Sequence, residues 1–496
     1  MGLSELLAGF AAVFQPQVLL LAFLGCLAGT VVGVLPGLGP VSAIAILFPL
    51  TTYLGPATAI VVLAAIYYGA MYGGSTSAIL LKIPGEVSSL PAAMEGYPMT
   101  RRGRAGTALA IAAGASFVAG ILGTLGVWLI GPHLAGFALE FGPPEMLGLV
   151  LFSLTAIAGL SSGSIVRGIG MAAAGMLLAS VGLDLTSSQQ RLTFGSLDLM
   201  QGFDIVPVMI GLFGIAEVLR TLERGTPPAN AAPVGSFLPT RDELRRSAGA
   251  AGRGTLTGFV LGLVPGMLPS TTTFLSYASE RRRAERKGGS RFGDGAVEGI
   301  GGPEAANNAT AMSGFVPLFS LGIPTGPTMA LIMAALMVYG VVPGPTMFTS
   351  NSDITAAVIA SFFVANVILL VLNLPLAGVW AKIARVPYGV LGPVVLVCCG
   401  VGAYTARNSL FDIVVCLVAG VAGWAMAKHG LPVAPFVMGF ILGPMLELSL
   451  RQTVAISPMT MLQSPIFLCF VGAAVVSIGL AYRLHRRSVD RVDANA

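Results

Sequence analysis

The sequence predicts an all-α polytopic membrane protein. Of its 496 residues, 55% are hydrophobic and 10% are charged, whereas a soluble domain carries about 25% charged residues. Residues 354–381 and 388–406 contain no charged side chain, and each run is long enough to cross a hydrocarbon core, which takes ~20 apolar residues. These runs show no alternation with a period of two residues, which argues against a β-barrel and favours helices.

The basic residues predict the orientation of the chain. Most of them gather in three groups: Arg101, Arg102 and Arg104; twelve residues between Arg220 and Arg291; and Arg483, Arg486, Arg487 and Arg491. By the positive-inside rule all three groups are cytoplasmic. No Lys or Arg precedes Lys82, so we expect no charged leading region of a cleavable signal peptide.

The apolar segments between these groups agree with that orientation. Four helices are expected near residues 105–131, 144–160, 165–182 and 203–222, and five near 354–381, 389–404, 409–427, 431–446 and 464–482. With the interrupted segments described below, we expect about 11–12 transmembrane helices, together with broken or re-entrant segments. The C-terminus is then cytoplasmic and the N-terminus lies on the outer side of the membrane.

Two ordered sequence matches predict an internal duplication. Residues 33–40 read GVLPGLGP and residues 262–269 read GLVPGMLP, and further along 79–85 read ILLKIPG and 318–326 read LFSLGIPTG. Because the first half begins outside and the second inside, the two repeats are expected to have inverted topology. We expect an N-terminal transmembrane repeat over 1–224, a cytoplasmic linker over 225–251, a C-terminal transmembrane repeat over 252–482 and a cytoplasmic tail over 483–496.

The first pair of segments predicts two breaks in membrane helices. Proline cannot donate a backbone hydrogen bond and glycine adopts backbone conformations closed to other residues. A break exposes N–H groups that suit an anion and carbonyl groups that suit a cation. The candidate binding residues are Pro36, Gly37, Gly39 and Pro40 in the first half, and Pro265, Gly266, Pro269, Ser270, Thr271 and Thr272 in the second. A plain kink or an interfacial turn is the alternative.

The second pair of segments adds glycines and hydroxyl groups in apolar surroundings. The candidates are Gly73, Gly74, Ser75, Thr76, Ser77, Pro84 and Gly85 in the first half, and Gly322, Pro324, Thr325 and Gly326 in the second. Such segments at corresponding positions of two inverted repeats are typical of a transporter's binding site. Each hydroxyl taken alone is also explained by a bond back to its own helix.

A polar cluster in residues 298–328 is the richest candidate site. Glu304, Asn307 and Asn308 are three and four residues apart, so they share one face of a helix. A carboxylate and amides at membrane depth are costly, which indicates a functional site. Glu304 is a candidate for a coupling proton or cation, and a Na⁺ site is expected near Asn307 and Asn308. A cap at the end of a loop is the alternative.

Other functional classes need motifs that the sequence lacks. There is no GxxxxGK[ST] of a P-loop ATPase and no protease or Asp-rich metal motif, so we expect no enzyme and no cofactor beyond a coupling Na⁺ or H⁺. The five cysteines are all in apolar context and the net charge of +5 reflects orientation in the bilayer, not nucleic acid. A channel or a non-transporting membrane scaffold remains the alternative to a transporter.

Together these motifs resemble the large membrane subunit of the tripartite tricarboxylate transporters, the TctA family. The segments that carry the resemblance are GVLPGLGP, YYGAMYGGSTSAILLKIPGE, EGYPMTRRG, PEAANNA and PLFSLGIPTG, spread over residues 15–480. The resemblance implies a permease subunit that takes up di- or tricarboxylates or related organic anions on a Na⁺ or H⁺ gradient. It also implies two partners, a small four-helix membrane subunit and a periplasmic solute-binding protein. Lys82 and Glu86, and the Thr325–Gly326 pair, depart from the family pattern.

Overall fold

The computed structural model describes residues 1–35, 37–160, 164–184, 186–224, 235–287, 289–383 and 388–493. Over these residues the chain is almost entirely helical. Seven of the described helices are long and apolar enough to cross a membrane, and further helices of 10–17 residues are also apolar. The predicted class, an all-α polytopic membrane protein, is therefore confirmed.

The first half of the chain builds eleven helices among the described residues. They are α1 (Leu3–Val13), α2 (Pro16–Val34), α3 (Pro40–Thr51), α4 (Pro56–Leu81), α5 (Leu90–Arg101), α6 (Ala105–Ala138), α7 (Pro143–Leu160), α8 (Ile165–Ala179), α9 (Leu197–Met200), α10 (Ile205–Met209) and α11 (Ala216–Arg224). A π-helical turn at Ile210–Ile215 joins α10 to α11. A short antiparallel hairpin of β1 (Gly182–Leu183) and β2 (Gln190–Arg191) follows α8.

The second half builds twelve helices within the part that the structure describes. They are α12 (Arg241–Gly262), α13 (Pro269–Lys287), α14 (Glu298–Ser313), α15 (Phe315–Leu321), α16 (Pro327–Val338), α17 (Ser352–Asn373), α18 (Ala377–Ile383), α19 (Tyr388–Arg407), α20 (Leu410–Lys428), α21 (Val433–Ile456), α22 (Met459–Gln463) and α23 (Pro465–Asp493). Helices α2, α3, α4 and α16 each carry proline in the first turn, where its missing N–H costs no hydrogen bond.

Two segment boundaries differ from the sequence expectation. Residues 241–251, expected in the cytoplasmic linker, form the first turns of α12. The reason is a capping box: Thr240 Oγ1 accepts from the Glu243 backbone N–H at 3.3 Å and the Glu243 carboxylate accepts from the Thr240 N–H at 2.9 Å. Residues 225–234 of that linker, and Pro36 of the first break, lie outside the described residues. Helix α23 continues to Asp493, past residue 483 where we expected the tail to begin.

Glycines bring one pair of helices into close contact in each half. A Cβ atom added at Gly29 or Gly33 of α2 would lie 2.2 Å from a backbone carbonyl oxygen of α4. In the second half, a Cβ added at Gly254 or Gly258 of α12 would lie 2.0 or 2.3 Å from a carbonyl oxygen of α14. Small residues of this kind let membrane helices approach at backbone distance. The pair α2–α4 and the pair α12–α14 therefore pack in the same way.

Helices α12 and α13 form a hairpin whose tip is the second Gly/Pro segment. The Arg253 guanidinium on α12 donates two hydrogen bonds, of 2.8 and 2.6 Å, to the Glu280 carboxylate on α13. At the end of the hairpin opposite its tip, which we call the open end, Arg246 on α12 donates to Ser290 Oγ at 2.6 Å. The chain thus runs out along α12, turns at residues 263–268 and returns to the level at which it started.

Helix α6 of the first half packs along α14 and α15 of the second half. Ser116 Oγ donates to Glu304 Oε2 at 3.3 Å, and further along both chains Ser320 Oγ donates to the Gly131 carbonyl at 2.9 Å. Residue numbers therefore rise together on α6 and on α14–α15, so these helices run in the same direction. The polar residues singled out in the sequence lie along this contact.

Candidate functional site

The first break lies between α2 and α3. Gly37 has a φ of +82°, a conformation that only glycine adopts without strain, and Pro40 is the first residue of α3. A Cβ added at Gly37 would lie 2.6 Å from the Glu217 carboxylate on α11. Gly39 faces the Glu86 side chain, with an added Cβ 3.5 Å from Oε2. Two carboxylates thus stand beside the first tip.

The second break repeats this geometry. Gly266 follows Pro265 and has a φ of +88°, and Pro269 begins α13. The Gly266 N–H donates to the Thr325 carbonyl at 3.0 Å, and Gly326 lies against the Leu268 side chain. The tip of the second hairpin is therefore fixed to the segment between α15 and α16.

Two of the hydroxyl groups that follow the second break, those of Thr272 and Thr273, have protein partners. The Thr271 backbone N–H donates to the Leu268 carbonyl at 2.9 Å, and the Ser270 carbonyl accepts from Thr273 Oγ1 at 2.9 Å. Thr272 is fully buried; its Oγ1 donates to the Pro269 carbonyl and lies 2.7 Å from Thr310 Oγ1 on α14. The Thr272–Thr310 contact ties the hairpin to the polar helix α14.

Helices α4 and α15 both end in a left-handed residue. Lys82 after α4 has a φ of +58° and Gly322 after α15 has a φ of +68°. The backbone then passes through Pro84–Gly85 in the first half, where a Cβ added at Gly85 would lie 2.3 Å from the Gly33 carbonyl. The second half passes through Pro324–Thr325 to α16. The break after α4 therefore contacts α2, and the break after α15 contacts the tip of the α12–α13 hairpin.

The glycine pair of the first half lies inside continuous helix. Helix α4 runs unbroken through Gly73 and Gly74, and a Cβ added at Gly73 would lie 2.5 Å from the Thr30 carbonyl on α2. Thr76 Oγ1 donates to the Tyr72 carbonyl at 3.4 Å and Ser77 Oγ donates to the Gly74 carbonyl at 3.1 Å. These two hydroxyls bond back to their own helix.

Ser75 differs from its neighbours. Its side chain is buried and lies against the Glu304 carboxyl group, yet its Oγ makes no hydrogen bond of normal geometry among the described residues. Ser116 Oγ on α6 donates a hydrogen bond to the same carboxyl group. Helices α4, α6 and α14 thus meet at Glu304.

The two asparagines lie one turn further along α14. Asn307 is 1% exposed and its Oδ1 has no partner among the described residues. Asn308 Nδ2 is 3.5 Å from the Glu304 carbonyl. Asn308 also lines a small cavity between α4, α6, α14 and α17, whose polar walls are Tyr68, Tyr72, Ser116, Asn308 and Asn366.

Several of these residues were not singled out from the sequence. Asn366 on α17 donates to Tyr68 Oη at 3.4 Å and to the Phe362 carbonyl at 3.0 Å. A Cβ added at Gly120 of α6 would lie 2.2 Å from Asn366 Oδ1, so α6 leaves room for this amide. The signal in the sequence was one amide in the middle of an apolar 22-residue helix. Glu86 was noticed only as a departure from the family pattern.

A second small cavity lies beside the second break. Its walls include Tyr67 of α4, Leu268, Thr310 and Thr325. A residue of the first half therefore reaches the break of the second half. The polar interior is made of backbone groups, hydroxyls, amides and isolated carboxylates. The described residues contain no group of three His, Cys, Asp or Glu side chains that could hold a metal ion.

The chain matches known proteins over nearly its whole length. Residues 19–438 match the tripartite tricarboxylate transporter TctA family. An Agrobacterium vitis protein described as "Uncharacterized 52.8 kDa protein in TAR-I ttuC' 3'region" is 41% identical over 483 residues, which are 97% of this chain and 95% of that protein. A second Agrobacterium vitis protein, described as "Uncharacterized protein in TAR-II ttuC' 3'region", is 39% identical over 227 residues, 45% of this chain and 93% of that protein. No solved structure matches the chain. The chain therefore belongs to the tripartite tricarboxylate transporter TctA family.

Proposed function

We propose that this protein is the large permease subunit of a binding-protein-dependent secondary transporter. It takes up di- or tricarboxylates, or related organic anions, across the bacterial inner membrane on a Na⁺ or H⁺ gradient. A small four-helix membrane subunit and a periplasmic solute-binding protein complete the system. The observation that carries the proposal is the buried polar cluster at Glu304, where helices from both halves of a membrane protein meet.

The directions of the long helices support an inverted repeat. Thr100 Oγ1 on α5 donates to the Ile79 carbonyl at 2.8 Å, so α6 begins beside the end of α4 and runs opposite to it. Because α14 runs with α6, α14 also runs opposite to α4. Equivalent helices with opposite directions are what an inverted repeat requires, and such repeats place a transporter's substrate site between them.

The breaks supply groups that suit an organic anion. Helices α3, α13 and α16 each begin directly after a break, so the first-turn N–H groups of α3 and α16 lie next to non-helical backbone; in α13 the Thr271 and Thr272 N–H groups already donate to the Leu268 carbonyl. The N-terminus of a helix carries roughly +0.5 elementary charge and binds carboxylates through these N–H groups. We propose that substrate carboxylates bind at these helix starts, and that Asn307 and Asn308 contribute amide groups from α14.

The orientation follows from the basic residues. Arg104, Arg246 and the residues near the open end of the α12–α13 hairpin lie together, since Arg104 donates to Glu243 at 2.7 and 2.9 Å. Two of the basic groups thus lie at one end of the molecule. We propose that this end and the C-terminus are cytoplasmic and that the N-terminus is periplasmic.

Gradient dependence tests the proposal. The protein is co-expressed with its neighbouring small membrane subunit and binding protein, reconstituted into vesicles, and supplied with labelled di- and tricarboxylates. We expect accumulation against the carboxylate gradient when Na⁺ or H⁺ is higher outside, and its collapse with ionophores for that ion. Carboxylate flux that runs only down its own gradient and does not depend on Na⁺ or H⁺ would identify a channel. The absence of any carboxylate flux would favour a non-transporting membrane scaffold.

A further inference from the structure

Glu304 is a buried carboxyl group surrounded by oxygen atoms. Its side chain is 3% exposed, Ser116 Oγ donates to its Oε2 at 3.3 Å, and the Ser75 hydroxyl lies against it. Over the described residues, no Lys, Arg or His forms an ion pair with it. A carboxylate at this depth needs a positive charge beside it or a proton on it.

Two further buried oxygen atoms lie on the helices that meet at Glu304, and neither makes a hydrogen bond of normal geometry in the described structure. They are Ser75 Oγ and Asn307 Oδ1, on side chains that are 2% and 1% exposed. The neighbouring hydroxyls Thr76 and Ser77 bond to their own helix, so Ser75 is an exception on α4. Buried polar atoms are nearly always paired, and two hydroxyl oxygens beside a buried carboxyl group that has no ion pair fit a ligand that carries positive charge.

We propose that Ser75, Ser116 and Glu304 bind the cation whose gradient drives uptake. This assignment rests on the proposed transport function. Carboxylate and hydroxyl oxygens are the ligands that a hard cation prefers, and Na⁺ and a proton share this chemistry. Ser75 and Ser116 belong to the first half and Glu304 to the second. Cation binding therefore joins the two halves of the protein.

Cation binding is tested on the purified full-length protein, independently of transport. Thermal unfolding of the wild type is measured in NaCl and in choline chloride of equal ionic strength. A ligand that binds only the folded protein raises its unfolding temperature with increasing concentration. If Na⁺ is the ligand, we expect this rise in the wild type and its loss in Glu304→Gln and Ser75→Ala. Ser77→Ala is the matched control, because the Ser77 hydroxyl bonds to its own helix, and it should keep the full rise.

A second arm detects a proton. The unfolding temperature is followed across neutral pH in choline chloride, where binding to Glu304 should give the wild type a pH dependence that Glu304→Gln lacks. The other titratable groups near Glu304 are Tyr72 on α4 and Glu86 after it. Tyr72→Phe is therefore the control that should keep the wild-type pH dependence, and Glu86→Gln, which removes a second buried carboxyl group, is measured so that the change due to Glu304 is separated from the change due to Glu86.

Loss of the Na⁺-dependent rise in unfolding temperature supports a Na⁺ site, and loss of the pH dependence in Glu304→Gln supports a proton site. The proposal is overturned if the wild type responds to neither Na⁺ nor pH, or if Glu304→Gln and Ser75→Ala respond as the wild type does. Vesicle uptake separates this failure from failure of the transport function. If the wild type and Glu304→Gln accumulate carboxylate equally well, the proposed cation site is wrong and the transport function stands. Where the site holds, we expect gradient-driven accumulation to fall at least tenfold in Glu304→Gln.

Discussion

Replacing Glu95 by Gln should strongly destabilise the protein, because its carboxylate holds a loop of the other half. Glu95 on α5 is fully buried. Its Oε1 accepts the Tyr277 hydroxyl and the Gly293 N–H, both at 2.7 Å. Its Oε2 accepts the Gly295 N–H at 3.0 Å and the Ala296 N–H at 2.8 Å. Each carboxylate oxygen thus receives two donors.

The size of the effect follows from this count of donors. Glutamine retains one oxygen, and its NH₂ group must face two of the four donors. Each hydrogen bond to a charged acceptor contributes about 1.5–3 kcal/mol, and a buried donor left unpaired costs about 1–3 kcal/mol. We therefore expect Glu95→Gln to lower the free energy of unfolding by about 3–5 kcal/mol, the range for breaking a buried charged pair. Tyr277→Phe removes one donor and leaves the carboxylate with three, so it should cost about 1–2 kcal/mol.

Equilibrium unfolding in mixed detergent micelles, followed by tryptophan fluorescence, measures both effects. Glu285→Gln is the matched control, because Glu285 is 61% exposed and pairs with Arg281 one turn away, a contact worth about 0–1 kcal/mol. An effect of Glu95→Gln no larger than that of Glu285→Gln would refute the reasoning. So would a larger effect for Tyr277→Phe than for Glu95→Gln.

Three further outcomes follow from the geometry. Gly266→Ala should abolish uptake and lower the unfolding temperature, because a φ of +88° costs a side chain about 1–2 kcal/mol and its Cβ would lie 2.9 Å from the backbone of α7; uptake at the wild-type rate would contradict it. The Thr186 backbone N–H holds the pKa of Asp184 well below its usual range. The ionised Asp184 carboxylate therefore stabilises the folded protein above about pH 4, and this stabilisation is lost only as the pH falls towards the pKa of Asp184 in the folded state. Hydrogen exchange of residues 182–191, corrected for intrinsic rates, should therefore be equally slow at pH 7 and pH 4.5, and early loss of protection would count against it. Asn308→Ala should abolish vesicle uptake while the protein stays folded in the membrane, which normal uptake would disprove.

The positions of the breaks could be predicted from the sequence because their causes are local. Proline lacks a backbone donor and glycine tolerates a positive φ wherever they stand in the chain. Gly37 and Gly266 accordingly adopt nearly the same φ, +82° and +88°. A capping box is equally local, and reading Thr240 and Glu243 as one would have extended α12 over residues 241–251 instead of assigning them to a linker.

The partners of the polar side chains could not be predicted in the same way. Asn366 and Tyr68 are 298 residues apart in the sequence, and Glu95 lies about 200 residues from the loop that it binds. Such contacts depend on how helices of one half pack against helices of the other. The sequence showed that Glu304 is costly at membrane depth, but only the fold brings Ser75 and Ser116 to it.

The contacts between breaks imply that each half behaves as one unit. In the second half a backbone hydrogen bond joins Gly266 to Thr325, and in the first half Gly85 approaches the Gly33 carbonyl too closely for any side chain. A ligand held by a hairpin tip is therefore also held, through backbone contact, by the end of the neighbouring long helix. Because Thr272 on the second hairpin lies 2.7 Å from Thr310 on α14, the helix that carries Glu304, movement of this hairpin should also displace Glu304 of the proposed cation site. Substrate and cation binding can then be coupled without any direct contact between the two ligands.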